Sequence, residues 1–200
     1  MHFTLLKSHI SIGLAALLVG LTALAQTADK QAPTSPGKLP LKADLVLSPE
    51  FCATKKRQSL AIKDVLMVGK AACPKLEAEL NGIFSSLRRV EKLPAPGVSA
   101  AQVVLTPRFV DISGTEPMFP SSQRKLVILL EWTIQDSAGH TIWLQTLQGS
   151  SQHKLGWVIT KRGLAELVEA AVGDLARDSA ARISAARELQ NLRQSSAATP

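Results

Sequence analysis

Between Lys125 and Gly149 the chain carries two runs of largely alternating apolar and polar residues, separated by Asp136-Ser137-Ala138-Gly139-His140. Alternation of this length puts every second side chain on one face, the mark of a half-buried strand. A glycine-containing connection of five residues joins antiparallel neighbours. The spacing predicts a hairpin of residues 125–135 and 141–149, with Leu126, Ile128, Leu130, Trp132 and Ile134 on the core side. Pairing Ile134 with Ile142 sets Trp132 opposite Leu144 and Leu130 opposite Thr146. The other face then gathers Val127, Leu129, Trp143 and Leu147, a candidate interface for a partner. Cover by the N-terminal linker, or ordinary partial exposure, accounts for that patch equally.

The remaining segments must bury this hairpin. A strand is expected over residues 43–47, ended by Ser48-Pro49. Leu76, Leu80, Ile83, Phe84 and Leu87 recur at helical spacing, with Pro74 suited to the first turn and Glu77 and Glu79 favouring the positive end of the dipole. A short strand at 89–93 precedes the turn residues Pro94, Pro96 and Gly97. The extended segment 101–112 is interrupted by Pro107, which belongs at an edge, a bulge or an unpaired site. Leu164, Leu167, Val168, Ala171, Val172 and Leu175 form the stripe of a last helix over 161–183. Both stripes are buried most simply in an α/β (α+β) fold, a two-layer sandwich of a mainly antiparallel sheet with two helices on one face.

Residues 1–25 read as an export signal. Lys7 precedes the apolar run from Ile12 to Leu24, and Ala23-Leu24-Ala25 supplies a small-x-small exit. The run is short for a membrane span, so cleavage before Gln26 and a periplasmic or secreted location are expected. An uncleaved signal would instead make the chain membrane-anchored. Residues 26–42, with Pro33, Pro36 and Pro40, form a linker; 43–189 a single α/β domain; and 190–200, rich in Ser, Ala and Gln, a disordered tail.

Lys7 is the only charged residue of the signal, so its removal lowers the net charge from +7 by one. Nucleic acid is an unsuitable counter-charge for an exported chain with dispersed cations, 4% aromatics and no tyrosine. Anionic lipid or glycan fits better, including at the surface of a membrane. Lys55, Lys56 and Arg57, supported by Lys63 and Lys70, are candidates for such a ligand; the plain alternative is a loop kept soluble by its charge. Cys52 and Cys73, the only cysteines, are expected to form a structural disulfide outside the cytoplasm.

Catalytic chemistry finds no such pattern. His140 and His153 belong to loops, and neither H-E-x-x-H nor a cysteine cluster is present to hold zinc. No G-x-S-x-G elbow occurs, and Val68-Gly69-Lys70-Ala71 lacks the earlier glycine and following hydroxyl of a phosphate loop. Asp111, Glu131 and Asp136 have no spacing that pairs them. No catalytic, cofactor-binding or metal-binding residue is therefore assigned. The alternative is an unrecognised hydrolase whose Ser, His and Asp residues converge only in the fold.

Three segments carry a family resemblance: Ala101-Gln102-Val103-Val104-Leu105, Leu130-Glu131-Trp132-Thr133-Ile134-Gln135-Asp136 and Gly139-His140-Thr141-Ile142-Trp143. With the terminal helix they resemble small bacterial envelope proteins of the lipopolysaccharide-assembly and transport-auxiliary lipoprotein type, in element order over residues 43–183. The resemblance implies a two-layer α/β domain serving as a non-catalytic envelope accessory. The chain departs from those lipoproteins in having no cysteine beside its signal junction, and no binding residue carries over. The expected function is an exported accessory or adaptor that binds another envelope component. A carrier or sensor of an anionic lipid or glycan is the alternative binding role.

Overall fold

The computed structural model describes residues 38–57, 65–115, 123–153 and 160–197. The signal segment, the linker through residue 37, Lys63 and the last three residues lie outside the described residues. The elements are β1 (Leu39–Val46), α1 (Pro49–Cys52), β2 (Lys56–Arg57), β3 (Val65–Leu66), α2 (Val68–Ile83), β4 (Phe84–Val90), β5 (Val103–Thr115), β6 (Arg124–Asp136), β7 (Thr141–His153), α3 (Lys161–Ala185) and α4 (Arg187–Ala197). Five strands form one sheet in the order β4-β1-β5-β6-β7, and β2 and β3 form a separate ribbon. The long β5–β6 and β6–β7 ladders are antiparallel, whereas β1 pairs in parallel with both β4 and β5 over shorter spans. A parallel pair needs a crossover, and α2 lies within the one that joins β1 to β4.

Helices α2 and α3 pack together and cover one face of the sheet, giving the expected two-layer sandwich. Leu45, Leu80, Leu105, Ile128, Leu130 and Leu175 are fully buried between the layers. Trp132 is fully buried too, and its indole N–H donates to Ser179 Oγ of α3 at 2.9 Å. α3 also grips the outermost strand: the Ser150 N–H donates to Asp174 Oδ2 at 3.0 Å, and the Ser151 hydroxyl donates to the Leu167 carbonyl at 2.7 Å.

Strand β6 alternates as expected, with Leu126 through Ile134 buried at every second position. The register of β7 differs. Ile134 faces Trp143, Leu130 faces Leu147 and Thr133 faces Leu144, while Gln135 faces Thr141 across a bulge that leaves Ile142 without an opposite residue. A one-residue slip exchanges the faces of a strand. Leu147 is therefore 5% exposed on the helix-facing side, and Trp143 is packed against the core there. Val127 and Leu129 remain on the outer face, so the four residues expected to share a patch are divided between two faces.

The first long helix begins at Val68, and Pro74 lies inside it rather than in its first turn. A proline there removes the hydrogen bond to the Lys70 carbonyl, a loss tolerated because packing against α3 and the core holds the helix. Phe84 and Leu87, read as part of the helical stripe, belong to β4, which follows the helix without a loop. Pro107 lies two residues beyond the last β5 residue paired with β1, where its missing N–H interrupts no ladder on that side. The ordered domain reaches further at both ends than 43–189. β1 starts at Leu39, and α4 continues to Ala197 with Leu189 buried and the Gln190 amide donating to the Ser184 carbonyl at 2.7 Å.

Candidate functional site, a groove between α2 and α3

The first turns of α2 and α3 and the β3 ribbon strand border a groove of about 610 Å³. Its apolar floor comes from Leu66, Ala71, Leu164 and Val168, all buried. Val65 and Met67, 39% and 41% exposed, stand beside it and present apolar surface to solvent. Lys70, Lys161 and Glu169 supply its charged groups, each exposed. Glu169 Oε2 lies 3.1 Å from Lys75 Nζ, so its charge is already compensated. Neither Lys70 nor Lys161 pairs with a carboxylate among the described residues.

Both lysines sit where the helix dipole disfavours them. The first turns of α2 and α3 contain no acidic residue, although the positive end of a helix favours carboxylates. In α3 the Thr160 side chain caps the Gly163 N–H at 3.0 Å, whereas Met67 gives α2 no side-chain cap. Two helix starts that both place a cation beside one groove break a local rule in the same direction, as functional sites do.

The sequence candidates divide around this groove. Lys70 lines it, together with Lys161, which sequence reasoning treated only as a helix boundary. Lys56 and Arg57 line a smaller neighbouring cleft of about 230 Å³ with Ile112, Ser113, Gly114 and Leu126. Leu66 contributes to both spaces. Lys55 lines neither cavity, and Lys63 lies outside the described residues. The signal that could have found Lys161 is its place in Lys161-Arg162, a basic pair opening a helix.

Cys52 and Cys73 form a disulfide with their Cα atoms 5.8 Å apart, within the ordinary range. It ties α1 to α2, and the enclosed segment carries Val65, Leu66, Met67, Lys70 and Ala71 of the groove. The helices meet closely: a Cβ on Gly69 would lie 2.1 Å from the Phe51 carbonyl oxygen, and the Gly69 N–H donates to the Thr54 carbonyl at 3.0 Å.

Two of the three acids considered for catalysis, Glu131 and Asp136, have structural partners. Arg108 Nη2 lies 2.8 Å from Glu131 Oε1 across β5 and β6. Asp136 caps the hairpin turn by accepting from the Ala138 and His140 N–H groups, each at 2.9 Å, and its Oδ2 lies 3.2 Å from His140 Nδ1. The His140 backbone N–H leads in holding the Asp136 carboxyl below its ordinary value. On the outer face of the sheet, Asp44 is 1% exposed and receives Arg88 through Nε and Nη2, both at 2.8 Å, with a further hydrogen bond from Ser99. The Arg88 hydrogen bond lowers the Asp44 pKa most; burial opposes it, and Ser99 and the Arg88 charge reinforce it. Ser99 Oγ also accepts from the Ala101 N–H at 3.0 Å, so this cluster fastens the loop before β5 to β1 and β4. Among the described residues, no three His, Cys, Asp or Glu side chains gather to hold a metal, and no helix is long and apolar enough to cross a membrane.

No family model matches the chain, and no curated protein matches it in sequence. Solved structures do. A Xanthomonas campestris protein of the DUF330 family is similar with a TM-score of 0.56 at 9% identity, over 82% of this chain and 93% of that one. A minor lipoprotein of Acinetobacter baumannii matches at 16% identity over 75% of this chain and 95% of that one, with a TM-score of 0.46. Uncharacterized lipoprotein B of Nitrosomonas europaea matches at 13% identity over 84% and 92%, with a TM-score of 0.40. At these identities the likeness is one of fold, carried by the Xanthomonas structure. Two of these neighbours are named as lipoproteins, at the lower TM-scores.

Proposed function

We propose that this chain is an exported, non-catalytic accessory protein of the bacterial envelope, which binds another envelope component in the groove between α2 and α3. The observation that carries the reading is the groove itself: buried Leu164 and Val168 at its floor, exposed Val65 and Met67 beside it, and two lysines without carboxylate partners among the described residues. Its volume of about 610 Å³ is in the range of sites for small ligands or anchoring side chains. The signal-like first 25 residues support an envelope setting. A photo-crosslinking residue at Met67 or Ala165, introduced in living cells, is expected to capture an envelope protein or lipid. A chain that stays in the cytoplasm, or whose groove captures no envelope component, overturns the proposal.

The cationic rim makes the carrier or sensor role a specific second reading. Between its two ligand classes, the described lining favours lipid over glycan, because among the described residues it contains no aromatic ring to stack on a sugar and no hydroxyl or amide to bond one. Extracting the envelope-purified protein with organic solvent and identifying the released lipid by mass spectrometry tests this reading. Glycan without lipid would reverse the preference.

A further inference from the structure

We infer that the α2/α3 groove binds an anionic single-chain amphiphile, with its hydrocarbon on the Leu66, Ala71, Leu164 and Val168 floor and its anionic head between Lys70 and Lys161. The inference deepens the proposed function and rests on it only for the envelope as the source of the ligand. Three features set the ligand class. The floor offers apolar surface without a side-chain hydrogen-bonding group, so most of the ligand must need none. Among the described residues the polar groups are confined to the rim, and Lys75 compensates Glu169, leaving Lys70 and Lys161 as the uncompensated charges there. The volume corresponds to about twenty groups at roughly 30 Å³ each, the scale of one chain with its head rather than of a two-chain lipid. Met67 at the border supplies an adaptable side chain that can follow chains of different shape.

The test uses protein produced from the full-length sequence with its own leader, purified and freed of bound lipid. Laurate, myristate and palmitate are titrated by calorimetry below their micellar concentrations, each beside the uncharged alcohol of the same length. Affinity is expected to rise by up to about fourfold per added methylene until the groove is filled. The double variant Lys70→Gln/Lys161→Gln changes only exposed side chains and is expected to fold. At about fivefold per lysine beside an anionic lipid head, it should lose roughly 25-fold in fatty-acid affinity while its alcohol affinity stays the same. Ala165→Trp, at an exposed position that lines the groove, should weaken acid and alcohol alike. Absence of binding at every chain length, indifference to both variants, or displacement of the acid only by an amphipathic peptide would overturn the inference. Crosslinks from Met67 to an envelope protein, with no fatty-acid affinity, would leave the accessory function standing and remove this ligand.

Discussion

Gly149 of β7 and Leu175 of α3 approach so closely that a Cβ added to the glycine would lie 2.4 Å from the Leu175 Cβ. The same atom would lie 2.4 Å from the Ala171 carbonyl oxygen, which belongs to the helix backbone and cannot turn aside. The layers of the sandwich touch here with no side chain between them. Gly149→Ala is expected to cost about 3 kcal/mol or more, read as a lower urea midpoint. Gly82→Ala, in α2 with nothing within 4 Å of the added Cβ, should instead be neutral or stabilise by up to about 1 kcal/mol.

The buried hydrogen bond from Trp132 to Ser179 joins the centre of β6 to α3. Removing the acceptor leaves the indole N–H unsatisfied inside the core. Ser179→Ala should destabilise by about 1–3 kcal/mol in equilibrium denaturation. Replacing both partners, Trp132→Phe with Ser179→Ala, should show a favourable coupling between the sites, and strictly additive losses would refute a net role for the bond.

Acid should loosen the outer face through Asp44. Its carboxyl is held below the ordinary value of 3.8 in the folded chain, so the folded state binds the proton less readily than the unfolded chain. The resulting stability is present above the unfolded value and is lost as pH falls through about 4 toward the lower folded value. Asp44→Asn should cost about 1–3 kcal/mol at neutral pH and flatten the stability profile below pH 4. An unchanged acid limb in the variant would assign the pH dependence elsewhere.

Reduction tests the covalent tie. The Cys52–Cys73 bond spans a sequence separation of 21, and loop-closure entropy assigns such a link roughly 3 kcal/mol. Cys52→Ser/Cys73→Ser should unfold at a correspondingly lower urea concentration, and a reducing agent should lower the midpoint of the parent chain but not of the double variant.

Several elements were legible because one period dominated them. Leu126 to Ile134 place an apolar residue at every second position, each of them buried, and Leu164 to Leu175 keep one helical stripe. The register of β7 was hidden because the bulge at Ile142 puts two adjacent apolar residues, Ile142 and Trp143, against the core, and alternation cannot reveal which one is supernumerary. The start of α2 was hidden by Pro74, whose usual helical position displaced the inferred boundary by a turn and a half. Parallel pairing of β1 with β4 and β5 leaves no local trace, since it depends on contacts across crossovers. Lys70 was named from composition, but its companion Lys161 lies 91 positions away and joins it only when α2 packs on α3.

The segment between Cys52 and Cys73 holds one wall of the groove, and the disulfide joins its two ends. A single proteolytic cut within that segment would leave one molecule with two new chain ends, still migrating as a unit until reduced. In a protease-rich compartment, such a nicked groove could lose its continuous backbone without shedding either fragment.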